Sequence, residues 1–170
     1  MARKSSLRDF QAYLAGRLSD AARGGSASSW LGIEANGEAW LVELSDGGEI
    51  VQAPQLAGVP LTRSWFAGIA NVRGSLQAVT DFSAFLGGLP APRNASARLL
   101  LIGTRYGSNA ALLVSRMLGL KRPDDFVEEA SDPALPLWGC QRFSDQQGKL
   151  WRKLDVGALL ADRDFMNIGN

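Results

Sequence analysis

Residues 65–88 read WFAGIANVRGSLQAVTDFSAFLGG, and the order of residue types within them decides the fold. Gly68 and Gly74 bracket Asn71 and Arg73, which marks a turn between two strands. An alternating run, SLQAVTDF, then leads to Asp81 and a Phe85-Leu86 doublet. The same succession recurs further on. Gly74-Ser75-Leu76, Asp81 and Phe85-Leu86 have counterparts in Gly148-Lys149-Leu150, Asp155 and Leu159-Leu160, each displaced by the same 74 positions. Each copy also follows an aromatic residue and a glycine, Phe66 and Gly68 in the first and Trp138 and Gly139 in the second. A repeated turn, strand, acidic residue and apolar doublet implies two similar units, each too small to bury its own apolar face.

Around this pair the period is two. WLGIEA and EAWLVEL flank Asn36-Gly37, a two-residue hairpin turn whose residues both accept positive φ. Alternation would turn Trp40, Val42 and Leu44 to one side and Leu41 and Glu43 to the other. SDGG at 45–48 reads as a second turn and EIVQ as the strand leaving it. ARLLLIGT and NAALLVSRML read as strands joined through RYGS, and LWGCQRF with GKLWRKLDV as a final hairpin after a loop at 122–136. The stretch 157–166 reads as a closing helix. Ahead of all this, Leu7, Phe10, Leu14 and Leu18 fall on one face of an expected helix over 5–22, which RGGSASS ends. Many short, closely spaced strands favour barrels over a doubly wound sheet.

Composition narrows the function. The chain has 170 residues, 18 basic and 17 acidic, and no histidine. Catalysis through Ser-His-Asp or Cys-His, histidine metal sites and histidine phosphorylation are therefore excluded. The charge balance creates no field that would draw in nucleic acid. The single cysteine, Cys140, cannot form an intramolecular disulfide. No apolar run approaches membrane-spanning length, and no apolar segment follows the basic start MARKSSLRDF, so a cytoplasmic location without membrane insertion is expected. Asp81 and Asp155 are expected to cap the helical turns after them. Two rival readings remain at this level: a small hydrolase using Glu49 and Asp81 as paired carboxylates, and an SH3-like nucleic-acid-binding module.

GIANVRGSLQAVTDFSAFLG at 68–87 resembles the CheW-like chemotaxis adaptor family, with its glycine, Asn-Leu-Arg-Gly turn, strand ending in aspartate and Leu-Gly. GEI at 48–50, NAALLVSRMLGL and GKLWRKLDVGALL fall in the places of further family segments, and the likeness runs over about 29–163. Gly47, Arg63, Ala78 and Ser115 depart from the usual residues, Arg63 and Ala78 standing where proline is common. The ends of the chain resemble the branch that serves type IV pili and twitching motility. The resemblance implies two SH3-like five-stranded β-barrels sharing a core, with an N-terminal and a C-terminal helix. It divides the chain into an N-terminal helix and linker (1–28), a double-barrel domain (29–163) and a tail (164–170). It also implies a non-catalytic, cofactor-free adaptor that meets a methyl-accepting chemoreceptor's cytoplasmic tip and the regulatory domain of a CheA-type histidine kinase. By residue it assigns partner contact to Glu49, Asn71 and Arg73, and turn shaping to Gly68, Gly74 and Asp81.

Overall fold

A computed structural model describes residues 29–170; the expected helix over 5–22 lies outside the described residues. Eleven strands among those residues form two sheets. A five-stranded sheet, the middle sheet, uses β3 (Gly47–Gln52), β4 (Phe66–Val72), β5 (Ser75–Asp81), β6 (Arg98–Ile102) and β7 (Ala110–Val114), in the order β3-β6-β7-β5-β4. A six-stranded sheet, the terminal sheet, takes β1 (Trp30–Ala35) and β2 (Glu38–Glu43) from one end of the described chain. Its other strands are β8 (Arg116–Lys121), β9 (Phe126–Glu129), β10 (Gln141–Asp145) and β11 (Leu150–Leu154), and its order is β8-β1-β2-β11-β10-β9.

Position by position, β8-β1-β2-β11-β10 repeats β3-β6-β7-β5-β4. Each set contains one parallel pair, β2 with β11 and β5 with β7. Strand β9 is an addition to the terminal set. The mostly β, two-unit fold expected from the sequence is the fold observed.

The 74-residue repeat has a backbone meaning. Gly74 (φ 82°) and Gly148 (φ 79°) open β5 and β11. Asp81 ends β5 and caps helix α1 (Phe82–Phe85) by accepting the Ala84 N–H at 3.1 Å. Asp155 follows β11 and caps α2 (Val156–Ala161) by accepting the Ala158 N–H at 2.9 Å. Further back, Asp81 N–H donates to the Trp65 carbonyl and Asp155 N–H to the Trp138 carbonyl, both at 2.9 Å. The aromatic equivalent of Trp138 is therefore Trp65, not Phe66: the stretch from Trp138 to Asp155 is one residue longer than that from Trp65 to Asp81, with four residues rather than two between its paired strands.

The interior has three apolar layers. Trp40, Val42, Phe82, Trp138, Leu154 and Leu159 belong to a layer shared by both units. The middle unit fills its own inside with small and branched residues such as Ala70, Val79, Leu99 and Leu113. The terminal unit fills its inside with rings, Trp30, Phe126, Phe143 and Trp151, around Leu41. Strand β2 thus buries Trp40 and Val42 on one face and Leu41 on the other, because it is a wall between two cores. Simple in-and-out alternation does not hold there, and Leu44 is half exposed beyond the strand's end.

Three further readings need correction. NAALLVSRML is broken at Ser115: β7 belongs to the middle sheet and β8 to the terminal one, with Ser115 N–H donating to the Glu34 carbonyl at 2.9 Å. The expected loop 122–136 contains β9. The closing helix is two, α2 and α3 (Arg163–Met166), because Asp162 stops one and caps the next with bonds from Asp164 and Phe165 N–H. At the other crossing between sheets, buried Asp46 accepts the Tyr106 hydroxyl and pairs with Arg105, both at 2.9 Å, while its carbonyl takes the Gly103 N–H. Burial, then the bond with Asp46, pushes the Tyr106 hydroxyl above its ordinary pKa. No helix among the described residues is long and apolar enough to cross a membrane.

The two caps should differ in worth. Asp81 is buried and also accepts the Ala91 N–H at 2.9 Å, so Asp81→Ala strands two donors, one of them buried. Its expected cost is about 2–4 kcal/mol, against about 1 kcal/mol for Asp155→Ala at an exposed cap. Denaturant unfolding of the two variants checks the order.

Candidate surface site

Arg73 and Gly74 are the two central residues of the β4–β5 hairpin, with φ of 52° and 82°. Val72 pairs with Ser75 and Asn71 with Leu76 on either side. Both φ values are positive, as a two-residue hairpin with native twist requires. The Asn71 side-chain oxygen accepts the Gly74 N–H at 2.8 Å and fixes the turn from within. The apolar neighbours suggest a buried turn, but Asn71, Arg73, Gly74 and Leu76 are all exposed. The hairpin overhangs the end of its sheet, where apolar residues lose their packing partners.

Arg73 Nη1 donates to Glu49 Oε2 at 2.8 Å and Nη2 faces Oε1, a fork-on-carboxylate pair. Two of the residues singled out in the sequence are thus each other's partners. They join the two edges of the middle sheet, since Glu49 lies on β3 and Arg73 follows β4. Further along the same seam, Ala57 and Ile69 exchange two backbone hydrogen bonds of 2.9 Å. Gly68 makes this possible: its φ is 128°, and an added Cβ would overlap the Ala57 carbonyl oxygen. Gly68 therefore sits in a strand bulge, Gly74 in the turn, and Asp81 at a buried cap.

Asp81 ends the carboxylate-pair reading. One of its oxygens accepts from Ala84 and the other from Ala91, so it faces its own backbone. Glu49 is held by Arg73. Among the described residues no cluster of His, Cys, Asp or Glu could hold a metal ion.

Where the two units meet, an open cleft of about 380 Å³ is lined by Arg63, Trp65, Phe85, Trp138, Asp162 and Asp164, among others. Its two tryptophans are the repeat-related pair. Phe85 packs edge-on against Trp65 at 5.1 Å and tilted against Trp138 at 5.5 Å, and Trp138 Nε1 donates to Asp162 at 3.1 Å. Sequence reading passed over this cleft. The signal was present in the near-equal spacing of Trp65 to Asp81 and Trp138 to Asp155, hidden by the one-residue difference between them.

The model of the CheW-like domain matches residues 29–164. Protein PilI of Pseudomonas aeruginosa is 29% identical over 111 residues, which are 64% of this chain and 62% of that relative, so the chain spans less than two thirds of the relative's length. The scaffolding protein TtCheW from Thermoanaerobacter tengcongensis has a similar fold, with a TM-score of 0.63 at 15% identity over 76% of this chain and 89% of that one.

The Arg73 side chain is 73% exposed and that of Glu49 37%, so solvent screens their attraction. Arg73→Ala should therefore lower stability by no more than about 1 kcal/mol. A thermal melt shifted by only a few degrees is the expected result.

Proposed function

The chain belongs to the CheW-like domain family, and from that premise we propose that it is a non-catalytic adaptor. It couples the cytoplasmic tip of a chemoreceptor to the regulatory domain of a CheA-type histidine kinase, in the chemosensory system that governs type IV pili and twitching motility. It works in the cytoplasm, reaching the membrane only through receptor arrays, and needs no cofactor. The likeness to PilI supports the choice of system.

One observation carries the reading. Arg73 holds a left-handed backbone at a turn where asparagine or glycine would sit with less strain, and its exposed ion pair adds little stability. Nothing in the packing calls for arginine there. What its position achieves is presentation: a guanidinium held by Glu49, over a turn locked by Asn71, beside Leu76 at 61% exposure. Charged groups around an apolar anchor suit a docking surface, the leucine supplying burial and the charges setting orientation. The chemistry of coupling then reduces to geometry. Two units held by a shared core transmit a small reorientation of one partner to the other, worth about 1–3 kcal/mol.

The test is to exchange the charges. Glu49→Arg with Arg73→Glu restores an internal pair, so the double variant should fold and melt close to the parent. It should nevertheless fail to bring down a receptor tip and a kinase regulatory domain together. Normal assembly by the exchanged variant would reduce the pair to an internal tie and remove the reading's support.

A further inference from the structure

The last eight residues follow α2 of the terminal unit, yet from Phe165 onward they reach across to the middle unit. Phe165 is 4% exposed and is the only buried side chain from Arg163 to Asn170. Its ring stacks on Trp65 at 6.4 Å and meets Phe85 edge-on at 5.3 Å, both from the middle unit. Beyond it, the chain runs antiparallel to the β3–β4 connector, with Gly169 opposite Thr62. Arg63 N–H donates to the Ile168 carbonyl at 2.9 Å, Arg63 Nε to the Asn167 carbonyl at 2.9 Å, and Asn170 N–H to the Leu61 carbonyl at 3.0 Å. Proline at position 63 could make neither Arg63 bond.

We propose that Arg163–Asn170 is a releasable latch across the two units, hinged at Asp162 and closed by the Phe165 ring. Three features set its opening free energy below that of the whole fold. Its buried contact is one side chain, and Met166 and Ile168 beside it stay exposed. Its backbone bonds lie at the surface, where water competes for them. The residue accepting its last bond, Leu61, is 85% exposed and held at a φ of 58°, a strained conformation for a bulky side chain. Asp162 is the natural hinge. It ends α2 and starts α3 in extended backbone, and its bond from Trp138 keeps it anchored to the terminal unit while the residues after it move. Release uncovers the faces of Trp65 and Phe85 and widens the cleft between the units, whatever the surfaces elsewhere bind.

Amide hydrogen exchange on the full chain, read residue by residue by NMR, tests this. The amides of Arg63 and Asn170 should be protected, but should exchange well before those of β1 and β2. Phe165→Ala should speed the two latch amides by at least about tenfold while the β1–β2 amides keep their rates. Arg63→Ala, which removes only an exposed guanidinium bond, should act in the same direction with a smaller effect, and decides the matter if Phe165→Ala fails to fold. Latch amides unprotected in the parent chain would overturn the closed latch. Latch and β1–β2 amides exchanging in step, in parent and variants alike, would overturn its independent release.

Discussion

The fold depends on one pairing between distant parts of the chain. Trp40, Leu41 and Val42 of β2 lie parallel to Arg152, Lys153 and Leu154 of β11. Without that ladder the terminal sheet is two separate three-stranded pieces, β8-β1-β2 and β11-β10-β9, neither with a closed core. With it, the middle unit is an insertion carried between two halves of its neighbour. The shared layer then forms because β2 must bury both faces at once. Such a pairing closes a long loop before it gains contacts, so it is a late and cooperative step of folding. Because the two units share that layer, unfolding one should open the wall of the other.

Legibility in the sequence followed the range of the interaction. The Asn36-Gly37 hairpin and the caps at Asp81 and Asp155 are local, set by residues one to three positions apart, and the sequence shows them directly. The repeat was visible because the same local unit occurs twice. Sheet membership was not visible. Ser115 lies in an unbroken apolar pattern, and only the two distinct cores show that the chain must change sheets there. Nor could β9 be read, since an edge strand with Val127 exposed and two glutamates has the composition of a loop. At the site, the residue types at 49, 71 and 73 were readable. That Glu49 and Arg73 hold each other was not, because the seam that joins β3 to β4 is created by barrel closure.

The distribution of strain separates what holds the molecule from what it presents. The buried carboxylates are spent, Asp81 on two amides and Asp46 on Tyr106 and Arg105, while half-buried Asp145 is held by the Trp151 indole and two backbone N–H groups. The indole bond, foremost, holds the Asp145 carboxyl below the usual aspartate range. Its contribution is therefore present above the ordinary aspartate pKa and fades as pH falls through the lowered one. By contrast, the two non-glycine residues in strained turns outside the Asn36 hairpin, Leu61 and Arg73, point outward. Strain that stabilises nothing inside is consistent with surfaces shaped for something outside, which is how the adaptor reading uses Arg73.

An adaptor must hold both partners at once, and that is the most direct measurement. Sedimentation velocity of the full chain mixed with a CheA-type regulatory domain and a receptor cytoplasmic tip should give a species heavier than either binary complex, containing all three components. Mutual displacement, with each partner binding only in the absence of the other, or no complex with either, would contradict the account.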